Sequence, residues 1–150
     1  MRYRRATLAG ATYFFSVNLA DRRADWLTRN IDLLRNMIHR VKVAHSFHID
    51  AIVVLPDHLH AIWTLPDGDA GYPMRWSLIK AGVSRGLSKV ERINNSRPSK
   101  PERGVWQRRY WEHLIRDDRD YAVPVDYIHN NPVKHGYVHR AVDWTHSLIH

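Results

Sequence analysis

The sequence of 150 residues contains no cysteine and no long hydrophobic run. The absence of cysteine excludes disulfide bonds and thiolate zinc sites, and it permits a reducing compartment. No apolar stretch approaches the roughly 18 residues that a membrane span requires, and the segment after the basic N-terminus is too broken for a signal peptide. We therefore expect a mature, soluble, cytoplasmic protein.

Internal repeats and low-complexity tracts are also missing, and we expect residues 1–150 to form one domain. Positive charge, in contrast, is abundant, because 23 Lys and Arg against 15 Asp and Glu give a net charge of +8. Such an excess favours a polyanionic partner, most commonly nucleic acid, since each phosphate contact releases condensed counterions. A basic protein without such a partner is the alternative that charge alone leaves open.

Two histidines stand one residue apart in the apolar segment VVLPDHLHAIW, residues 53–63. The segment predicts a β-strand that begins after a turn at Pro56 and Asp57, and alternate side chains of a strand share a face. The imidazoles of His58 and His60 would therefore point the same way and could bind one cation. Taken alone, one His-x-His pair among 11 histidines is often incidental.

A second motif, VDYIHNNPVKHG, covers residues 125–136. In a predicted helix, Tyr127 and Asn131 are one turn apart on one face. A nucleophilic oxygen and a third metal ligand could thus come from one helix, although Tyr127 could also be a packed tyrosine and Asn131 a residue that ends the helix. Four further side chains are interpreted as mainly structural: Glu112, His113, His129 and His135.

Strands and helices are predicted to alternate along the chain. We predict strands at residues 11–18, 47–55, 58–65 and within 105–115, and helices at residues 27–44, 75–93 and 117–131. Gly82 and Gly86 weaken the second helix, and Pro132 predicts that the third ends at Asn131. Residues 94–104 predict a flexible loop. The order βαββαβα is typical of an α+β ferredoxin-like sandwich with an antiparallel sheet and a last helix laid across the site.

These motifs together resemble a known family. The segment DHLH fits the His-hydrophobic-His pattern called HUH, and it is accompanied by YFFSVNL, RYWEHLIRDDRDY and VDYIHNNPVKHG. Over roughly residues 3–144, the chain resembles the REP-associated tyrosine transposases, a branch of the single-tyrosine HUH transposases. The resemblance implies a ferredoxin-like fold of the HUH endonuclease type and a bacterial, nucleoid-associated protein.

The resemblance also implies a reaction, namely cleavage and rejoining of single-stranded DNA at palindromic hairpins through a 5′-phosphotyrosine intermediate. Tyr127 matches the nucleophile, His58 and His60 the metal-binding pair, and Asn131 the third ligand, where many single-tyrosine transposases have glutamine. The implied cofactor is a divalent cation, Mg²⁺ or Mn²⁺, with open positions for phosphate. The implied partner is single-stranded DNA with a REP-like hairpin and a short 5′ guide; either a monomer or a dimer is possible.

Basic side chains that could contact DNA phosphates are spread over the chain. The candidates are Arg2, Arg4, Arg5, Lys80, Arg85, Arg108, Arg109 and Arg116, each of which could instead be a solvated surface charge. Trp63, Trp106 and Trp111 are interpreted as core or sheet-face aromatics, with stacking on an extruded base as the alternative.

Two other functions are alternatives to the transposase. A noncatalytic nucleic-acid-binding regulator on the same fold would leave the Tyr and His set idle, and no RNP-like aromatic signature accompanies the sheet. A replication initiator or conjugative relaxase would share the HUH chemistry, but the sequence contains no helicase segment and no second nearby catalytic tyrosine. We therefore expect a metal-dependent, single-strand DNA nickase and strand transferase.

Overall fold

The computed structural model describes residues 8–94, 104–134 and 147–149, within which a five-stranded sheet is flanked by helices. The strands are β1 (Thr12–Asn18), β2 (His48–Val54), β3 (His58–Thr64), β4 (Trp111–Ile115) and β5 (Ser147–Ile149), and the helices are α1 (Trp26–Arg29), α2 (Ile31–Ala44), α3 (Tyr72–Asn94) and α4 (Asp118–Lys134). The sheet order is β4-β1-β3-β2-β5, and all neighbours are antiparallel. No helix in these ranges is long and apolar enough to cross a membrane.

The alternation of side chains along β1 gives the sheet two different faces. Tyr13, Phe15 and Val17 point to one face and are buried. Ser16 on the other face lies opposite His60 of β3. The strand β3 is buried along nearly its whole length because it has a strand on each side and helices on both faces.

The larger core lies between the first face and the helices α2 and α3. The rings of Trp63 and Trp76 stack with centroids 4.2 Å apart, and Phe15 meets Trp63 edge-on at 5.0 Å. The helix α3 continues through both of its glycines, because they let α2 approach closely: a Cβ at Gly86 would lie 2.5 Å from Cδ1 of Leu33. The glycines thus serve helix packing and do not interrupt the helix.

The helix α4 covers the second face. Its residue Ile128 is buried in a smaller apolar cluster with Val53 and Ile62 of the sheet. Two polar contacts flank this cluster: Tyr121 donates a hydrogen bond to Asp50 Oδ2 at 3.0 Å, and His113 Nε2 lies 2.8 Å from Asp120 Oδ1. The helix is therefore fixed to β2 on one side and to β4 on the other. This agrees with the predicted last helix across the sheet.

The four predicted strands and the ferredoxin-like fold are confirmed, but three details of the prediction are wrong. The predicted helix 27–44 is divided at Asn30, whose side-chain amide donates to the carbonyl of Trp26 at 3.0 Å. The strand β5 was not predicted. The helix α4 continues past Asn131 to Lys134, so the preference of the residue before proline against the α region, which is a statistical one, does not end this helix. Most of the predicted loop, residues 95–103, lies outside the described residues.

Candidate active site

His58 and His60 lie side by side on β3, on the face that α4 covers. Both are buried, and their ring centroids are 5.0 Å apart with the rings nearly perpendicular. The strand alternation predicted that they would share a face, and the structure brings them together in this way. Two imidazoles at this spacing can approach one small ion.

The turn before β3 holds the ring of His58 in place. Asp57 Oδ1 lies 2.8 Å from Nδ1 of His58, and the second carboxylate oxygen accepts a hydrogen bond from the half-exposed Arg22. Burial alone would raise the pKa of the Asp57 carboxyl, but the hydrogen bonds from Arg22 and His58, together with their positive charge, outweigh burial and lower the pKa. In the neutral form of His58, the ionised carboxylate of Asp57 would hold the proton on Nδ1 and leave the lone pair on Nε2.

The strand β1 holds the ring of His60. Ser16 Oγ lies 2.7 Å from Nδ1 of His60, directly across the antiparallel pair. In the tautomer in which Nδ1 donates to the hydroxyl, the buried Nε2 of His60 carries the lone pair. In that arrangement both imidazoles are held through Nδ1 and offer Nε2 as a ligand.

Tyr127 reaches this pair from α4. Its ring lies 5.0 Å from that of His60 and 6.2 Å from that of Phe14, in both cases edge-on. The residue is 38% exposed, whereas the adjacent Ile128 is fully buried. Ile128 therefore anchors the helix turn, while the tyrosine beside the histidines stays accessible to a substrate.

Asn131 lies one turn beyond Tyr127 and is only 1% exposed. Neither its Oδ1 nor its Nδ2 has a hydrogen-bond partner among the described residues. Leaving such a buried group unsatisfied costs about 1–3 kcal/mol, so it calls for a specific explanation. A ligand that takes the amide oxygen would be one.

The direction of α4 indicates which end of β3 its last turns approach. Tyr121 contacts Asp50, which accepts a hydrogen bond from Thr64 at the end of β3. Six residues later, Tyr127 contacts His60. The helix thus runs antiparallel to β3, and its next turn continues toward His58.

These donors fit a divalent cation. The described residues include no cluster of three His, Cys, Asp or Glu side chains with metal-ligand spacing. Two imidazole nitrogens and one amide oxygen would give a mixed set of nitrogen and oxygen donors, both of which divalent metals accept. The buried, unsatisfied amide of Asn131 supports this interpretation.

An open pocket of about 410 Å³ lies beside Tyr127, between β4 and α4. It is lined by Phe14, Ser16, Trp111, His113, Asp120, Val123, Pro124 and Tyr127, and we call it the Trp111 pocket. Because Ser16 contacts His60, the pocket adjoins the histidine pair as well as the tyrosine.

The other residues singled out in the sequence are distributed around this site. Glu112 faces the opposite side of the sheet with Phe15, and His129 is exposed. Trp63 is a core residue, Trp106 donates to the carbonyl of Lys80 at 3.1 Å, and Trp111 is 59% exposed. His135 lies outside the described residues.

The basic candidates do not form one surface. Lys80 and Arg85 are on α3, which packs against the face of the sheet opposite the histidines, and Lys80 Nζ donates to the carbonyl of Gln107 at 3.3 Å. Arg108, Arg109 and Arg116 are exposed near β4, the strand that bears Trp111. Arg2, Arg4 and Arg5 lie outside the described residues.

Three residues that orient the site were not predicted from the sequence, namely Asp57, Arg22 and Ser16. An acid directly before His58 was a usable signal, since metal-binding histidines commonly donate their second ring N–H to a carboxylate. Ser16 gave no such signal, because its contact depends on the register of two strands 44 residues apart.

Comparison with known proteins identifies the family. A REP-associated tyrosine transposase of Escherichia coli K12 is 44% identical over 148 residues, which cover 99% of this chain and 82% of that protein. The chain belongs to the REP-associated tyrosine transposases. A putative REP-associated tyrosine transposase of Haemophilus influenzae is 43% identical over 149 residues, which are 99% of this chain and 85% of that protein. No family model matches the chain.

Solved structures agree with this assignment. A REP-associated tyrosine transposase bound to a REP hairpin superposes with a TM-score of 0.85 at 43% identity, over 98% of this chain and 81% of that one. A putative transposase from Deinococcus radiodurans R1 has a TM-score of 0.56 at 17% identity, over 87% of this chain and 97% of that one, and shows similarity of fold alone. The chain is accordingly an enzyme of the HUH tyrosine transposase type.

Proposed function

We propose that this transposase cuts and rejoins single-stranded DNA with Tyr127 as the nucleophile, and that His58, His60 and Asn131 hold a divalent cation beside it. The observation that carries the proposal is the contact between the accessible ring of Tyr127 and the buried ring of His60. A tyrosine packed for stability alone would be expected to lie in the core, whereas Tyr127 is 38% exposed and its ring contacts one of two adjacent buried imidazoles.

The proposed reaction is a transesterification that conserves the phosphodiester bond. Oη of Tyr127 attacks the phosphorus and loses its proton to water, while the bond from phosphorus to the 3′ oxygen breaks and that oxygen takes a proton from water to leave as a hydroxyl. A phosphotyrosine ester to the 5′ end remains, and a 3′ hydroxyl can reverse the step without ATP. His58, His60 and Asn131 would hold Mg²⁺ or Mn²⁺, which would supply positive charge to offset the negative charge of the phosphate oxygens.

The relative solved with a REP hairpin suggests the substrate. We infer that this chain acts on single-stranded DNA that folds into a palindromic hairpin of the REP type. The excess of positive charge on the chain supports a nucleic-acid partner. We further infer action on DNA in the bacterial cytoplasm.

The decisive experiment tests covalent attachment. A labelled single-stranded REP-type hairpin is incubated with wild-type protein and divalent cation, and the expected result is a protein–DNA adduct that survives denaturant. Tyr127→Phe should abolish the adduct but keep hairpin binding within about 3-fold. Tyr121→Phe is the matched control on the same helix, and it should still form the adduct because its hydroxyl contacts Asp50. An adduct of normal yield with Tyr127→Phe would refute the assignment.

The cation is tested first by direct binding and then by its effect on adduct formation. Calorimetric titration of the Tyr127→Phe protein with Mn²⁺ should show one site, which is lost in His58→Ala and His60→Ala and weakened in Asn131→Ala. His129→Ala is a control, since His129 is exposed on another face of α4. Adduct formation by the wild type should cease in EDTA and return with Mn²⁺. Unchanged Mn²⁺ binding in the His58 and His60 variants would show that these residues are structural.

A further inference from the structure

The Trp111 pocket is not explained by the attack of Tyr127 on phosphorus. Its largest side chain, Trp111, is 59% exposed although it sits on a strand of the sheet. Val123 on the facing helix is also exposed, so apolar surface lines both sides of the opening. Exposed apolar surface around a concavity commonly marks a binding site.

The position of the pocket relates it to the proposed chemistry. Tyr127 forms one wall, and Ser16, which holds His60, forms part of another. A group in the pocket is therefore adjacent to a phosphate that Tyr127 attacks. In single-stranded DNA, that group belongs to a neighbouring nucleotide.

The chemistry of the lining distinguishes a base from a phosphate. The walls offer the aromatic side chains of Trp111 and Phe14, and aromatic rings are the surfaces on which unpaired bases stack. The polar edge is His113 with Asp120, whose Oδ1 lies 2.8 Å from Nε2 of His113. The hydrogen bonds from His113 and from the backbone N–H of Arg116 lower the pKa of the Asp120 carboxyl, which is therefore charged at neutral pH and repels a phosphate.

We propose that the Trp111 pocket binds the unpaired base of a nucleotide adjacent to the scissile phosphate, with Trp111 as the stacking surface. This inference rests on the proposed function, because it requires DNA at Tyr127. It adds a base-binding role for Trp111, Phe14 and the His113–Asp120 pair. The size of the pocket, about 410 Å³, falls within the range of small-ligand pockets and suits a flat ring.

The first test measures stacking by fluorescence and does not need cleavage. The Tyr127→Phe protein is mixed with single-stranded REP-type hairpins. Each hairpin carries 2-aminopurine at one position on either side of the expected cleavage point. We expect strong quenching at one position, caused by stacking in the pocket. Trp111→Ala should remove that quenching and weaken hairpin binding by about 10-fold, within the range of base–aromatic stacking.

Two variants control this measurement. Trp111→Phe keeps an aromatic surface and should retain most of the quenching and affinity. Leu78→Ala removes another exposed apolar side chain, on α3 at the opposite face, and should change neither. Quenching that persists in Trp111→Ala, or that is lost equally in Leu78→Ala, would overturn the proposal.

The second test asks whether Trp111 acts on the base itself. With Tyr127 present, adduct formation is compared between normal DNA and DNA with an abasic site at the quenched position. Trp111→Ala should slow adduct formation about 10-fold on normal DNA and have no effect on the abasic substrate. An equal effect on both substrates would overturn the proposal. A wild type that forms no adduct at all would instead count against the proposed function, while the fluorescence result would still decide base binding.

Discussion

Asp57 Oδ1 lies 2.8 Å from Nδ1 of His58, and the other carboxylate oxygen accepts a hydrogen bond from Nε of Arg22. The turn before β3 thus places the candidate metal ligand His58 directly after Asp57, the acid that orients its ring. The backbone secures this turn, since the N–H of Leu19 donates to the carbonyl of Asp57 at 2.8 Å. The geometry of His58 is therefore set by residues on two separate segments.

Replacing that acid should weaken cation binding. In Asp57→Asn the uncharged amide no longer fixes the proton on Nδ1 or raises the basicity of the ring, and we expect a loss of about 10-fold to 100-fold in Mn²⁺ affinity. Calorimetric titration measures the loss. Asp32→Asn makes the same charge change at an exposed position of α2 and should leave the affinity unaltered. Equal Mn²⁺ affinity in wild type and Asp57→Asn would contradict the orienting role.

The ion pair between Arg75 and Asp69 should make the stability of the fold depend on pH in the acidic range. The side chain of Arg75 is 2% exposed, and its guanidinium bonds both oxygens of Asp69, at 3.0 and 2.8 Å, as well as the carbonyls of His45 and Ser46. The hydrogen bond from Arg75, followed by that from the N–H of Gly71, lowers the pKa of the Asp69 carboxyl. The pair therefore joins the end of α2 to the start of α3.

The sign of the pH dependence follows from this shift. A lowered pKa in the folded state means that the ion pair stabilises fully above the unfolded value, near 3.9, and that its contribution is lost as pH falls through the lower folded value. Asp69→Asn should therefore lower Tm at pH 7, and the difference from wild type should shrink below about pH 4. Melting curves between pH 7 and pH 3 measure it, with exposed Asp67→Asn as control. A Tm difference that stays constant down to pH 3 would argue against this account.

The close approach of α2 and α3 gives a packing prediction. A Cβ at Gly86 would lie 2.5 and 2.7 Å from the two Cδ atoms of Leu33. Alanine gains up to about 1 kcal/mol in helix propensity, but overpacking costs about 1–3 kcal/mol, so Gly86→Ala should destabilise the fold. Denaturant titration measures the change, and in a Leu33→Ala background the same substitution should become neutral or stabilising. The same loss in both backgrounds would mean that Leu33 is not the obstacle.

The sequence predicted those parts of the site that depend on local periodicity. The two-residue period of β3 placed His58 and His60 on one face, and the helical period placed Tyr127 and Asn131 one turn apart. The contact between Ser16 and His60 was not predictable in this way, because it requires the register of β1 against β3.

Other misses have the same origin in tertiary structure. The break at Asn30 is accompanied by a hydrogen bond from its side-chain amide to the carbonyl of Trp26, and Trp111 stays exposed on β4 although α4 packs on the same face. Local residue propensities predict neither of these features. For the two glycines of α3, the sequence predicted the cost in helix propensity. It could not predict their benefit to packing, because that benefit depends on where α2 lies.

The last prediction concerns which arginines contact DNA. Residues 107–110 run along the edge of β1 beside the site, because the N–H of Gln107 donates to the carbonyl of Asn18 at 2.9 Å and Trp111 pairs with Ser16. The exposed side chains of Arg108 and Arg109 belong to this segment. Arg85 and Lys89, also exposed, are on α3 across the sheet. We expect the first pair to contact the phosphates of a strand that enters the site, and the second pair to remain in solvent.

Salt dependence separates the two pairs. Each phosphate contact on single-stranded DNA contributes about 0.7 to the slope of log affinity against log salt, so five contacts would give a slope of roughly −3.5. Arg108→Ala with Arg109→Ala should flatten the slope by about 1.4, because two contacts are lost, while Arg85→Ala with Lys89→Ala removes the same charge and should leave the slope unchanged. Binding titrations of a single-stranded hairpin at several salt concentrations measure the slope for both double variants. In a separate cleavage assay, the wild type should cut this hairpin but not the same sequence as a perfect duplex. Equal slopes in the two double variants would contradict the prediction, because the loss of two charges would then have the same effect at either position.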